Sequence, residues 1–251
     1  MTGLALATTA LCKSFGALTV AQNIDFRLEP GARHALIGPN GAGKTTFINL
    51  ITGRLAPSSG RISLAGEDIT DLPQAARVKR GLGRTFQINQ LFRGLSVLEN
   101  VTLAVGERAG AAGDMFRFAG SNRAVVEEAY GLLETLRIAD DALKLVKELP
   151  YGRQRLVEIA IALGLRPKVL LLDEPAAGVP ADESAIILEV IDRLPQDIAV
   201  LIIEHDMDLV FRFARMITVM VQGTVLVEGA PAAIAADARV REVYLGEGRH
   251  G

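Results

Sequence analysis

The stretch GPNGAGKTT, residues 38–46, sets how the rest of this chain is read. It matches GxxxxGKT and follows a short apolar run, HALIG. After it comes KTTFINLITG, whose Phe47, Ile48, Leu50 and Ile51 recur at helical spacing. Strand, glycine-rich turn and helix in that order build a phosphate cradle, because glycines let successive backbone N–H groups turn inward at a helix N-terminus. Gly38, Pro39, Asn40, Gly41, Ala42, Gly43, Lys44, Thr45 and Thr46 are therefore expected to bind a nucleoside triphosphate. Lys44 is placed to reach the β- and γ-phosphates, and Thr45 has the hydroxyl that ligates Mg²⁺.

Upstream of this loop, LALATTAL and QNIDFRLEPG alternate, with Ile24, Phe26 and Leu28 on one face, as in an antiparallel layer. Downstream, RISLAGEDI and GRTFQ read as strands around a helix in PQAARVKRG. From about residue 95 to 149 the pattern turns helical, in SVLENVTLAV and NRAVVEEAYGLLETLRI, joined by the Gly/Ala-rich AGAAGDMFRFAGS. Strand–helix alternation then returns. VLLLD, IAVLIIE and MITVM are nearly all apolar, as parallel strands buried on both faces should be. The expected architecture is α/β: a core with an antiparallel β layer (residues 1–90 and 155–251), interrupted by a helical subdomain (residues 91–154), all in one domain.

Composition narrows the class. The 251 residues carry a net charge of −2, so no bulk basic field attracts nucleic acid or anionic lipid. One cysteine, Cys12, builds no disulfide framework, which fits a reducing cytoplasm. No basic start precedes the apolar N-terminal residues, which argues against a secretory leader. No uncharged apolar run reaches the ~20 residues of a membrane span. MITVMVQGTVLV is broken at Gln222 and Gly223 and reads as two strands. A soluble protein that reaches a membrane only through a partner is expected.

VLLLDEP ends a buried strand in two carboxylates. Asp173 is expected to hold Mg²⁺ through water. Glu174, the next residue, points elsewhere and suits a general base for the attacking water. Gln87 and His205 close GRTFQ and AVLIIEH at the sheet edge where open α/β folds place ligands. His34 is read as a satisfied core imidazole, and neither His250 nor Cys12 has a functional context. In LPYGRQRLVEIA, Arg153 and Arg155 lie in the first turn of a helix, where acidic residues are usual.

With GPNGAGKT, Gln87, LPYGRQR, VLLLDEP and His205 in that order, the whole chain resembles the ATPase subunits of ABC systems. That resemblance implies a P-loop NTPase (RecA-like) core, with ATP and Mg²⁺ as cofactors. It implies that Phe15, where tyrosine is commoner, stacks on the adenine, and that Gln87 senses Mg²⁺ and the transport partner. It implies that His205 contacts the γ-phosphate. Leu149, Pro150, Tyr151, Gly152 and Arg153 would occupy the place of the signature, facing ATP held by the opposite subunit of a head-to-tail dimer. The helix start at residue 150 would then face that γ-phosphate. RTFQ, the tyrosine-containing signature, DEPAAGV and the tail EGAPAAIAADARVREVYLGEG are similar to the branched-chain amino acid importer type.

The implied function is ATP hydrolysis that energises uptake of branched-chain amino acids or a related small polar solute. The implied partners are transmembrane permease subunits, a second ABC ATPase in a homo- or heterodimer, and, indirectly, a periplasmic solute-binding protein. The implied location is cytoplasmic, peripheral on the inner face of the membrane. Leu91 and Phe92 would anchor the permease. Alternatives are an ATPase of lipid or lipopolysaccharide export and a non-transport ABC protein. The latter needs long coiled coils or two ATPase units in one chain, and a small-molecule kinase would need no signature helix. Besides Phe15, three positions depart from the wider ABC pattern: Pro150 removes a hydroxyl and an N–H, Tyr151 replaces the first glycine of the signature, and Pro180 stands where aspartate or asparagine is usual.

Overall fold

Alternating apolar and polar side chains fold the N-terminal part into a sheet with one buried face. β1 (Leu6–Phe15) and β2 (Leu18–Leu28) pair antiparallel, with Leu6 opposite Leu28. Leu6 and Leu11 from β1, and Ile24, Phe26 and Leu28 from β2, are buried. β4 (Ser59–Leu64) and β5 (Glu67–Asp68) complete a sheet ordered β2-β1-β4-β5. Residues 61–69 are thus a hairpin rather than one strand, because Ala65 and Gly66 take φ of 50° and 83° and form a two-residue turn. This computed structural model describes residues 3–85, 91–110 and 123–246.

The second sheet runs β10-β9-β3-β8-β7-β6. Its parallel strands are β3 (Arg33–Ile37), β6 (Leu82–Arg84), β7 (Val169–Asp173), β8 (Ala199–Ile203) and β9 (Met216–Val221). β10 (Thr224–Gly229) returns antiparallel to β9 through a turn at Gln222 and Gly223. Helices connect the strands: α1 (Lys44–Thr52), α2 (Gln74–Lys79), α3 (Val97–Arg108), α4 (Arg123–Thr135), α5 (Tyr151–Gly164), α6 (Ala181–Asp192), α7 (Met207–Phe213), α8 (Pro231–Ala236) and α9 (Ala238–Gly246).

Both faces of this sheet are covered, so its side chains divide by parity. Ala35, Ile37, Leu170, Leu172, Val200 and Ile202 join the cluster containing α3, α4 and α5. Leu36, Val169, Leu171, Ala199, Leu201 and Ile203 pack with α1 and the antiparallel sheet. That division explains the continuous apolar runs in the sequence. The helical subdomain starts at a capping box: Glu99 N–H donates to Ser96 Oγ at 3.2 Å, and Ser96 N–H donates to Glu99 Oε2 at 2.7 Å. α5 packs on α3 and α4 and runs unbroken through residues 154 and 155 into the core.

Two buried groups give folding stability opposite slopes with pH. On β3, His34 Nε2 donates to Thr218 Oγ1 at 2.8 Å, because the Thr218 hydroxyl itself donates to Glu228 at 2.7 Å. Burial lowers the His34 pKa from 6.5 to about 4, so in that window the unfolded chain binds more protons. Stability from this source falls as pH drops. On α5, burial raises the Glu158 pKa from 4.5 to about 7, against the opposing pull of Arg155. Here the folded chain binds more protons, so stability falls as pH rises. Between about pH 5 and 6.5 the slopes of these two groups oppose each other, while buried Glu204, whose pKa burial also raises, adds to the Glu158 slope, so the variants are compared with the parent. Glu158→Gln should gain about 2 kcal/mol as pH rises across that window, and His34→Gln should lose about as much. Parallel profiles for all three proteins would count against both assignments.

Candidate functional site

The phosphate loop is held by backbone on two sides. Gly43 caps α1 with φ 97°, and a Cβ there would meet the Val20 carbonyl of β2 at 3.0 Å and Gly223 Cα at 3.2 Å. Gly223 N–H donates to Ala42 O at 2.9 Å, so the β9–β10 turn closes on the loop. Only glycine meets both the left-handed backbone and the close approach. α1 has no side-chain cap and no acidic residue in its first turn, which leaves its N-terminal N–H groups and dipole for an anion. Lys44 Nζ donates to the loop carbonyls of Gly38 and, at 3.1 Å, Pro39, folding its charge over the cradle.

Three strand ends converge on the same sheet edge. β3 delivers residues 38–46, β7 delivers Asp173 and Glu174, and β8, which lies between them, delivers His205. Asp173 Oδ2 accepts from Arg84 Nη2 at 2.8 Å, and Arg84 Nη1 reaches Asn49 Oδ1 on α1 at 3.4 Å. Glu174 sits at φ 46°, a left-handed backbone that costs a non-glycine residue about 1–3 kcal/mol. Its N–H donates to Ile203 O at 2.9 Å, and its Oε1 lies 3.6 Å from His205 Nδ1. Such strain at a strand end, with a half-exposed carboxylate facing an exposed imidazole, is typical of a working site.

Phe15, at the end of β1, is 53% exposed with the Lys13 ammonium 5.0 Å from its ring centroid, so it is not a core residue. Gln87 and His250 lie outside the described residues. Leu91 is buried in the helical cluster, which leaves Phe92, at 60% exposure, as the accessible member of that pair.

The start of α5 lies against the segment that follows Glu174. Pro150 is its N-cap, and the Tyr151 ring packs 3.6 Å from where a Gly178 Cβ would be. Gly152 is pressed against Glu183 of α6, whose Oε2 would lie 2.2 Å from a Cβ at position 152, so any larger residue must displace that carboxylate. Pro180 caps α6, and Ser184 Oγ donates to its carbonyl at 3.1 Å. The arginines of this helix start find anions within the chain. Arg153 donates to Asp141 at 3.1 Å. Arg155 donates to Glu158 at 2.9 Å and lies over the Tyr151 ring at 5.4 Å. Arg155 is buried, and its Nε makes no hydrogen bond with the described residues.

Sequence reading passed over Arg84 and Glu204, although both stand in stretches it singled out, GRTFQ and AVLIIEH. The available signal was a charged residue at the end of a buried strand. The donor set present, the Thr45 hydroxyl and an Asp173 carboxylate engaged by Arg84 through Oδ2 only, suits a hard cation shared with phosphate oxygens. Among the described residues, no group of three or more His, Cys, Asp or Glu is placed to hold a metal ion.

Residues 21–177 match the ABC transporter family, and residues 224–250 match the branched-chain amino acid ATP-binding cassette transporter family. The chain is similar to the high-affinity branched-chain amino acid transport ATP-binding protein BraF of Pseudomonas aeruginosa, at 36% identity over 96% of this chain and 98% of that one. It is similar to the corresponding protein LivG of Escherichia coli K12 at the same identity and coverage. Among solved structures, it superposes on an ATP-binding cassette of an ABC transporter in its ADP conformation. That match has a TM-score of 0.86 and 32% identity, and covers 98% of this chain and 100% of the other.

Proposed function

This chain belongs to the ABC transporter ATP-binding subunits of the branched-chain amino acid importer type, and from that membership we propose how its residues divide the work of hydrolysis and what solute it serves. It is a nucleotide-binding ATPase coupled to transport. The observation that carries the mechanism is the convergence of residues 38–46, Asp173, Glu174 and His205 on one sheet edge. Residues 38–46 bind the phosphates, with the α1 N–H groups and Lys44 on their negative charge and Phe15 against the adenine. Glu174 takes the proton of the attacking water, and His205 contacts the γ-phosphate. Thr45, Asp173 and Gln87 would hold Mg²⁺, which when bound would neutralise charge developing on the phosphate oxygens. Residues 149–153 of one subunit cover the ATP of another.

The solute is a branched-chain amino acid, a reading supported by the match of the C-terminal tail and by the relatives' function. The working unit pairs this chain with a second ATPase and two permease subunits, at the inner face of the membrane. A periplasmic binding protein delivers the solute. Among the described residues no helix is long and apolar enough to cross a membrane, so the permeases provide the attachment. Export of lipid or lipopolysaccharide is not favoured by these relatives. In cells lacking this gene, uptake of labelled leucine, isoleucine and valine should fall at least tenfold and return with the wild-type gene. Unchanged uptake of all three would overturn the solute assignment.

A further inference from the structure

Glu204 follows β8 directly, precedes His205, and is 1% exposed. The mechanism above does not use it. Its Oε1 accepts the N–H of Ala176 at 3.4 Å, and its Oε2 accepts the N–H of His205 at 3.3 Å. Ala176 lies two residues beyond Glu174, so one carboxylate ties the chain leaving β7 to the chain leaving β8. The His205 ring is placed between two carboxylates: its Nδ1 is 3.6 Å from Glu174 Oε1 and 3.9 Å from Glu204 Oε2. Glu204 also lines a cavity of about 350 Å³ with Ala177, Gly178, Val179 and His205. A carboxylate in such a place carries a desolvation cost that an apolar residue would not. The hydrogen bonds from the two amides offset part of that cost, although burial still raises the Glu204 pKa above its ordinary value, and they add a link between strand ends that no apolar side chain can make.

We propose that Glu204 is a positioning residue for ATP hydrolysis, holding Glu174 and His205 in register by binding the Ala176 and His205 amides together. This rests on Glu174 acting as base and His205 meeting the γ-phosphate. A loosened amide pair lets the two side chains drift, and displacements near 1 Å at a reacting centre cost up to about a hundredfold in rate.

The test is steady-state hydrolysis by the full chain, normalised to ATP-binding sites counted by equilibrium binding. Glu204→Gln keeps the volume and one acceptor, whereas Glu204→Ala removes both. Turnover per site should fall by about tenfold to a hundredfold in Glu204→Ala and less in Glu204→Gln, with KM and ATP affinity within about twofold of the parent. A purely structural role would instead reduce the number of binding sites and leave turnover per site intact, and that result overturns the proposal. So does a loss expressed only in KM. If Glu204→Ala does not fold, Glu204→Gln decides the question on the same criteria. Glu174→Gln, measured in parallel, separates the two levels. Full turnover there removes the underlying reading, whereas an inactive Glu174→Gln beside fully active Glu204 variants removes this proposal alone.

Discussion

A chain carrying Glu174→Gln is expected to bind ATP with the parent's affinity and to hydrolyse it roughly 10²- to 10⁴-fold more slowly, the usual contribution of a positioned general base. The amide has the size of the carboxylate and preserves its contacts, but it cannot take a proton from water. Affinity should be spared because phosphate binding is assigned to residues 38–46, the loop after β3 and the start of α1, whereas Glu174 stands at the end of β7 with β8 between. The left-handed φ of 46° at Glu174 sharpens the expectation, since the fold maintains that strain around this side chain. Equilibrium ATP binding and phosphate release, measured on the same preparation, check it. Parental turnover would remove Glu174 from the base role, and a matching loss of affinity would place it in binding instead.

The second large effect concerns stability and arises at Arg77, which is 2% exposed on α2. Its guanidinium donates to Leu50 O and Ile51 O at 2.7 Å, to Thr70 O at 2.7 Å and to Leu72 O at 2.8 Å. Leu50 and Ile51 lie in the last turn of α1, where a cation suits the dipole; Leu50 O keeps the Gly53 N–H at 3.2 Å, so the Ile51, Thr70 and Leu72 carbonyls depend most on Arg77. Arg77→Ala strands these groups, and a buried unsatisfied group costs about 1–3 kcal/mol. A total loss of about 3 kcal/mol or more is expected, a large share of the 5–15 kcal/mol that holds a typical protein folded. Arg77→Met, which keeps the apolar stem, should lose nearly as much. Denaturant unfolding provides the measurement, and a loss below about 1 kcal/mol would show that water replaces the guanidinium at little cost. Since α1 also carries Lys44 and Thr45, this arginine supports the phosphate loop from the far end of its helix.

Arg77 marks where sequence reading stops. In PQAARVKRG it is one of three cations on a short helix, and neither spacing nor propensity separates it from Lys79 or Arg80. The α1 carbonyls it satisfies are 26 and 27 residues away in the chain. The same limit applies to LPYGRQRLVEIA. Its two arginines read as unanswered charge at a helix start, yet Asp141 and Glu158 answer them. Asp141 lies 12 residues upstream in a turn with no periodic signal, whereas Glu158 is three residues on along the same helix, a partner that helical spacing alone supplies.

What could be read from the chain alone was whatever depends on local order. The glycine loop between an apolar strand and a helix, the strands buried on both faces, the helical interruption, and the paired carboxylates after VLLL all follow from backbone freedom, periodicity and adjacency. These features were enough for the fold class and for naming the candidate site residues. Folding supplied what depends on proximity between distant residues: which strand lies between β3 and β7, which cation meets Asp173, and which buried carboxylate ties Ala176 to His205. Hydrogen bonds and ion pairs act over a few ångströms in space and are indifferent to separation along the chain, so the residues that tie the ends of β7 and β8 together became visible only in the packed molecule.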